Sequence, residues 1–146
     1  MSKSEKPFSK VKYLIYEGKF WNVILMDDQS YLGRSIVYLK SRYIEDPLQL
    51  TKEEWEECWF EIMPRLASAL KKAFRVDRIN YCHLANFTHH VHWHIVPRYE
   101  KNPVREFAGE TFRDEKVGKH YAGTPNKNFS SGVMNKICKE IKKNFK

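Results

Sequence analysis

The feature that most constrains this chain is a run of three histidines at alternate positions, His90, His92 and His94. Successive side chains of a β-strand point to opposite faces, so a strand over residues 90–96 would place all three imidazoles on one face. The intervening valine, tryptophan and isoleucine would face the other way, toward a hydrophobic core. Imidazoles are costly to bury and add little to packing, and four of the chain's six histidines fall within residues 89–94. The pattern therefore predicts a functional site on a strand.

The rest of the sequence predicts an antiparallel sheet of about five strands backed by one long helix. A capping box formed by Thr51 and Glu54 begins an amphipathic helix that extends to Phe74. Pro64 within this helix predicts a kink or a break near residues 62–63. The order of elements predicts an α+β fold. The predicted strands cover residues 11–16, 20–26, 35–40, 79–84 and 90–96.

The two ends of the chain differ from this predicted domain, which covers residues 11–100. Residues 1–10 are polar and predict a flexible lead-in. Residues 101–146 begin without sustained hydrophobic periodicity, and Ser130 or Ser131 can then cap a short terminal helix. We expect this loop-rich arm and its helix to pack on the domain or on a partner subunit.

Composition limits the classes of protein to which the chain can belong. A hydrophobic fraction of 42% and an aromatic fraction of 14% are sufficient for a folded core. The net charge of +8 suits a partner that carries phosphate or carboxylate groups, although many of the lysines lie near the termini. The three cysteines form no CxxC pair, and no apolar run is long enough to cross a membrane. We expect a cytoplasmic protein without a disulfide framework or a membrane partner.

A metal site is one chemistry that alternate histidines can perform, because two of them can ligate one zinc, iron or copper ion. The three same-face histidines, however, span about 13 Å at about 3.3 Å per residue, which is too far for a single ion. No acidic residue lies between Asp77 and Glu100 to complete a two-histidine site. We therefore expect no metal, and keep a two-histidine metalloprotein as an alternative.

Nucleophilic attack on phosphorus is the chemistry that the spacing favours. A neutral imidazole is a competent nucleophile at pH 7, because its ordinary pKa is about 6.5. His92 has an imidazole on each side and is the predicted nucleophile, which would form a covalent phosphohistidine-type intermediate. His90 and His94 would then donate hydrogen bonds to phosphate oxygens and to the leaving group.

This stretch resembles the motif of the histidine triad (HIT) nucleotide hydrolases and transferases, in which three histidines alternate with apolar residues. The similarity covers roughly residues 11–100 and includes the turn into a strand at Leu32–Val37 and the capped helix start at Thr51–Glu57. With Trp93 between the second and third histidines and Pro97-Arg98-Tyr99 afterwards, the chain resembles the branch similar to diadenosine tetraphosphate hydrolase.

The resemblance implies an antiparallel sheet that carries the triad, usually in a homodimer. It implies cleavage of a nucleoside 5′-phosphate from its leaving group through a nucleotidyl intermediate on His92, with a dinucleoside polyphosphate as the leading substrate. No cofactor is implied, although a divalent ion can accompany a polyphosphate.

The resemblance also implies contacts with the substrate. Asp27 lies where the family contacts the ribose hydroxyls, and Asn80 and Asn86 lie near positions that contact phosphate or the leaving group. Arg34 replaces a further histidine found in many relatives, and it can hold phosphate but cannot act as a base at neutral pH. The candidates for an apolar base slot are Phe20, Ile24 and Leu25, and Arg98 is a further candidate for substrate binding. His89 lies outside the motif and is predicted to be a surface residue.

A purine-nucleotide-binding or nucleic-acid-binding protein with weak or no turnover is the alternative from a different class. The basic ends and the replacement at Arg34 favour it. A nucleotide is the expected ligand under either function, and nucleic acid is the less favoured partner.

Overall fold

The computed structural model describes residues 7–121 and 127–146, and its centre is a five-stranded antiparallel sheet. Strand order across the sheet is β1-β2-β3-β5-β4, so the strand with the triad lies inside the sheet and β1 and β4 form its edges. The predicted α+β fold is confirmed. The strands are β1 (Leu14–Glu17), β2 (Trp21–Leu25), β3 (Ser35–Leu39), β4 (Arg78–Cys82) and β5 (His92–Arg98).

Helices cover one face of this sheet. Apolar side chains of β2, β3 and β5 that point to this face form the main core with the helices. Within the described part of the chain, no helix combines the length and apolar character needed to cross a membrane. The helical segments are a 3₁₀ turn (Pro47–Gln49), α1 (Lys52–Glu56), a π-helical turn (Glu57–Ile62), α2 (Met63–Phe74) and α3 (Ser131–Asn144).

The long helix keeps a continuous path past Pro64. The predicted capping box is present, because Thr51 and Glu54 exchange side-chain and backbone hydrogen bonds at its start. The π-helical turn lies immediately before Pro64, and there the Met63 N–H donates to the Cys58 carbonyl five residues back. Proline has no N–H and its ring clashes with the carbonyl four residues earlier, so a widened turn accommodates it. The predicted irregularity is therefore a π turn rather than a break.

The arm after the sheet contains regular structure that its sequence did not predict. Strands β6 (Val104–Phe107) and β7 (Glu110–Arg113) form a hairpin. Ala108 and Gly109 make its two-residue turn with φ of 52° and 79°, and this backbone favours a tight hairpin even without an asparagine. Each strand has only four residues, which is too short for a clear alternating pattern.

The arm and α3 pack on the same chain. Phe107 contacts Phe74 of α2, and Phe112 contacts Phe129 just before α3. Ser130 caps α3 through the Val133 N–H, which confirms one of the two predicted caps. Most of the predicted N-terminal lead-in, residues 1–6, lies outside the described residues, as do residues 122–126 of the arm.

Candidate active site

The sheet face opposite the helices carries His92 and His94, because their strand alternates between the two faces. Directly paired residues of antiparallel strands share a face, so the register defines two rows of side chains across this surface. One row consists of Ile24, Ile36, His94 and Cys82, and the next consists of Asn22, Tyr38 and His92. The structure therefore places two histidines of the predicted triad side by side on an otherwise mostly apolar surface.

Hydrogen bonds determine the protonation of this histidine pair. The His92 Nδ1 lies 2.7 Å from the His90 carbonyl oxygen, which can only accept, so Nδ1 carries the proton. The Nε2 atoms of His92 and His94 are 3.2 Å apart. In the neutral pair His94 must donate its Nε2–H to the lone pair of His92 Nε2. Of the two facing nitrogens, His92 Nε2 is thus the one that carries a lone pair.

Both imidazoles are neutral at pH 7. Burial is the main cause that lowers the pKa of each ring, and it brings the pKa of His94 to about 4. The neighbouring His92 and the Arg34 guanidinium lower the pKa of His94 further. A neutral His92 keeps its lone pair available for attack.

His90 affects this pair through its backbone. Its ring is buried before the start of β5, where Nε2 contacts the Leu39 carbonyl and Nδ1 accepts from the Ile44 N–H at 3.2 Å. The ring also stacks on Tyr43. Strand pairing starts only at His92, so the alternation that predicted a shared face does not extend to His90. His90 orients His92 through its carbonyl, rather than contacting a phosphate through its ring as the sequence predicted.

A cavity of about 350 Å³ with both apolar and polar lining, including Lys10 and Lys12, lies on the same face of the sheet. The ring of Phe8, from the segment before β1, borders it and lies 5.1 Å from the His92 ring. Asp27, which is exposed, lines the cavity and adds the polar group predicted to contact a ribose. The other apolar residues that line it are Pro7, Val11, Ile24, Leu25, Met26 and Ile36.

Two of the three predicted base-slot residues, Ile24 and Leu25, border this cavity, and Phe20 does not. Ile24 is on the triad face, whereas the Leu25 side chain belongs to the core on the helix side. Phe20 also packs against that core. Consecutive strand residues point to opposite faces, so of these two neighbours only Ile24 directs its side chain to the triad face. Ile36 follows from the same alternation on β3, whereas no sequence signal pointed to Phe8.

Arg98 binds both Asn80 and the arm. Arg98 is buried and its Nε and Nη2 donate to the Asp114 carboxylate at 2.9 and 3.1 Å. Its Nη1 donates to Asn80 Oδ1 at 3.0 Å and to the Lys119 carbonyl at 2.7 Å. These bonds occupy the guanidinium, so Arg98 anchors the arm instead of meeting a substrate.

The remaining predicted polar residues lie in different surroundings. Asn86 is exposed in the loop between β4 and β5, as is His89, the surface residue outside the motif. Arg34 is buried and pairs with Asp28 at 3.2 Å. It lies close enough to His94 to lower the pKa of that imidazole.

Two residues near the triad were missing from the predicted set. The His83 ring lies 6.4 Å from the His92 ring, and its buried Nε2 has no hydrogen-bond partner in the described residues. Its place at the end of a strand antiparallel to the triad could have identified it. Tyr121 of the arm lies 6.5 Å from His94. No local pattern connects that tyrosine to the triad, because it follows the triad strand by more than twenty residues of arm.

Known structures share this fold. The chain is similar to a HIT protein from Sinorhizobium meliloti, with 20% identity, a TM-score of 0.72, and 94% of this chain and 92% of that one covered. It is similar to a histidine triad protein from Bradyrhizobium japonicum, with 14% identity, a TM-score of 0.74 and 97% and 96% covered. A zinc-bound HIT family protein from Mycobacterium smegmatis has 16% identity, a TM-score of 0.58 and 91% and 83% covered. At these identities the likeness shows the fold alone.

The family itself follows from the sequence profile. No curated relative matches the chain. The profile of the HIT domain, however, matches residues 12–101, which is more than half of the chain and includes every strand of the main sheet. Together with the paired His92 and His94, this match shows that the chain belongs to the HIT domain family, whose fold binds and hydrolyses nucleotides.

Proposed function

We propose that this protein cleaves a nucleoside 5′-phosphate conjugate through a nucleotidyl intermediate on His92, with a dinucleoside polyphosphate as the leading substrate. The observation that carries the proposal is the neutral His92, with its Nδ1–H bound to a carbonyl and its Nε2 lone pair directed at a neutral donor. This arrangement suits attack at phosphorus.

The reaction would proceed in two displacements at the α-phosphorus. His92 Nε2 forms a bond to phosphorus while the bond to the leaving group breaks, and the leaving oxygen takes the electron pair. The His94 N–H then donates to a phosphoryl oxygen instead of to His92, and the His90 carbonyl stabilises the positive charge on the modified imidazole. Water then attacks the adduct: its oxygen bonds to phosphorus, the phosphorus–nitrogen bond breaks with its electron pair returning to His92 Nε2, and the proton of the water passes to solvent. This step releases the nucleoside monophosphate and restores His92.

The cavity beside the triad supports a nucleotide as the group transferred. The apolar residues of its lining suit a purine base, and Asp27 at the same cavity can accept hydrogen bonds from ribose hydroxyls. Phe8 is close enough to both the cavity and His92 to contact a base whose phosphate meets the triad.

Intact-mass spectrometry after rapid acid-free quenching tests the proposal. Wild-type protein incubated with a panel of dinucleoside polyphosphates and nucleoside phosphoramidates, with and without Mg²⁺, should gain the mass of one nucleoside monophosphate less one water, as a covalent nucleotidyl group requires. Acid treatment should remove this mass. Protein that binds AMP but cleaves no member of the panel would instead be a nucleotide-binding module without turnover.

A zinc site is the second candidate, because the two facing Nε2 atoms are 3.2 Å apart. Two imidazoles on one tetrahedral zinc ion, at about 2.0–2.1 Å from the metal, have nitrogens about 3.3 Å apart. Among residues 7–121 and 127–146, however, no group of three or more His, Cys, Asp and Glu side chains could hold a metal. Metal analysis of purified protein decides between the candidates: zinc at one ion per chain that survives dialysis would favour the metalloprotein.

The pH dependence of cleavage should extend into the acid range. Because the pKa of His92 is lowered from about 6.5, its nucleophilic neutral form should persist below pH 6.5. We therefore expect kcat/KM to remain level from about pH 8 to below about pH 6.5, where an unperturbed histidine would already be half protonated. An acid limb centred at or above pH 6.5 would contradict this expectation.

The free energy of unfolding should also depend on pH, because the pKa of His94 is lowered in the folded protein. The pKa of His94 is about 4 in the folded protein against 6.5 ordinarily, so the unfolded chain takes up the proton first. Stability is therefore complete above about pH 6.5 and falls as the pH decreases toward about 4, by up to about 1.4 kcal/mol per pH unit for this group. Urea unfolding of wild type and of His94→Gln across this range should show a smaller slope for the variant.

The exposed edge of the sheet favours a homodimer. β4 pairs on one side only, and apolar side chains near it are exposed, with Tyr81 at 42% and Leu84 at 52%. Trp59 contacts Tyr81, and its buried Nε1 has no hydrogen-bond partner among the described residues. We infer that β4 pairs with a second copy, so sedimentation should give twice the mass of one chain.

A charged side chain at this edge should dissociate the dimer. Tyr81→Lys should sediment as a monomer, whereas Leu14→Lys on β1, at the opposite edge, should remain dimeric. A dimer that withstands Tyr81→Lys but not Leu14→Lys would assign the interface to β1.

A further inference from the structure

Arg34 lies close to His94, just before the start of the strand that pairs with β5. Arg34 directly precedes β3, in which Ile36 pairs with His94, and the Tyr121 ring lies 6.5 Å from the His94 ring and 5.2 Å from the Arg34 guanidinium carbon. A phosphate bonded to the α-phosphate can therefore extend from His94 to Arg34.

The guanidinium of Arg34 is buried and only partly paired. Its Nη1 donates to Asp28 at 3.2 Å, and its side chain is 10% exposed. The Asp28 carboxylate does not serve Arg34 alone, because its Oδ1 also accepts hydrogen bonds from Ser30 and from the Lys127 N–H. The Arg34 Nε is buried and has no hydrogen-bond partner in the part of the chain that the structure describes. A buried donor in this state favours an anion that completes its bonding.

The arm places a tyrosine against this arginine. The Arg98 guanidinium binds Asp114 and the carbonyls of Lys116 and Lys119, which fixes the chain just before Tyr121. The Tyr121 ring is buried, and its centroid lies 5.2 Å from the guanidinium carbon of Arg34. A stacked guanidinium keeps its plane fixed, so its edge remains available for hydrogen bonds. These arm residues lie beyond the matched HIT domain.

We infer that Arg34, held by Asp28 and stacked on Tyr121, forms a subsite for an anionic leaving group, namely the phosphate end of a polyphosphate. The inference rests on the proposed function and specifies its substrate class. Arg34 would bind the non-bridging oxygens of the departing phosphate, and Tyr121 is a positioning residue for that arginine.

The difference between a phosphate and an amine as leaving groups explains why such a subsite discriminates between substrates. When His92 attacks a polyphosphate, the bridging oxygen leaves as part of a phosphate with a pKa of about 6, so it needs charge stabilisation and no proton. An amine leaving from a phosphoramidate must take up a proton to depart. Arginine supplies positive charge but no proton at neutral pH. The subsite should therefore accelerate loss of phosphate far more than loss of an amine.

A pair of matched substrates tests this selectivity. We would compare kcat/KM for a dinucleoside tetraphosphate with kcat/KM for a nucleoside phosphoramidate of the same base. Arg34→Gln should reduce cleavage of the tetraphosphate about 10²–10³-fold and lower the ratio of the two values at least about 30-fold. Arg34→Lys keeps the charge and should retain tetraphosphate cleavage within about tenfold.

Two further variants separate this role from a structural one. Tyr121→Leu should lower the ratio about threefold to tenfold. Arg113→Gln removes the same charge at an exposed position of β7 and should leave the ratio unchanged. If Arg34→Gln fails to fold by circular dichroism, Arg34→Lys and Tyr121→Leu decide the question.

The possible results distinguish this inference from the proposed function. Equal losses on both substrates in the Arg34 variants, or no loss on either, would overturn the subsite while leaving His92 as the nucleophile. Wild-type protein that cleaves neither substrate would contradict the proposed function itself, and the subsite with it.

Discussion

Replacing His92 by asparagine is expected to lower kcat/KM for dinucleoside polyphosphate cleavage at least about 10³-fold, because the change removes the nucleophile. The asparagine amide can still donate to the His90 carbonyl, which accepts from His92 Nδ1 at 2.7 Å, so the local packing should survive. Binding of AMP, measured by calorimetry, should therefore stay within about threefold of wild type. Intact-mass spectra of the variant should contain no nucleotidyl adduct.

His89→Asn is the matched control for this experiment. His89 is adjacent to the triad in sequence but exposed, so the same substitution there should leave cleavage and adduct formation unchanged. Wild-type rates in His92→Asn would exclude His92 as the nucleophile. An adduct that persists in that variant would assign the attack to another group, and His83, 6.4 Å away, would be the first to test.

Asp114→Ala is expected to produce the largest loss of stability, about 3–5 kcal/mol, because it leaves the buried Arg98 charge without its carboxylate. The Asp114 side chain is fully buried and accepts both Nε and Nη2 of Arg98. It also accepts from the Tyr99 and Lys116 N–H groups. Urea unfolding measures this loss of free energy. In thermal unfolding the variant should show a Tm lower by roughly 10 °C.

The same variant should also slow cleavage, because the arm that carries Tyr121 loses its anchor. Glu100→Ala is the control: it breaks the ion pair between Arg78 and Glu100, whose side chains are 64% and 37% exposed. Exposed pairs contribute little, so its cost should stay below about 0.5–1 kcal/mol. A cost below about 1 kcal/mol for Asp114→Ala would mean that the arm docks independently of the Arg98 clamp.

Local patterns account for the parts of the fold that the sequence predicted. The period of two in a strand placed His92 and His94 on one face, and the capping box at Thr51 marked the helix start. The irregularity caused by Pro64 follows from the missing N–H of proline. Each of these features depends on neighbours within a few residues, so the sequence alone contains the information.

The same rules failed where strand pairing or distant contacts decide the outcome. His90 precedes the paired region, so its ring turns into the loop near Ile44 rather than toward His92. The side chains of Phe20 and Leu25 pack in the core on the helix side, although Leu25 also borders the cavity. The alternation around Ile24 could have predicted this face for the Leu25 side chain.

The sequence by itself determined the family, the fold and the histidine that attacks in the proposed reaction, because all three depend on short-range spacing. Only the tertiary structure decided what surrounds that histidine. Arg98 binds Asp114 sixteen residues away and thereby brings Tyr121 to Arg34, while Phe8 lies against His92 from the other end of the chain. These contacts depend on the packing of the arm and the N-terminal segment against the finished sheet, and no local pattern in the sequence specifies them.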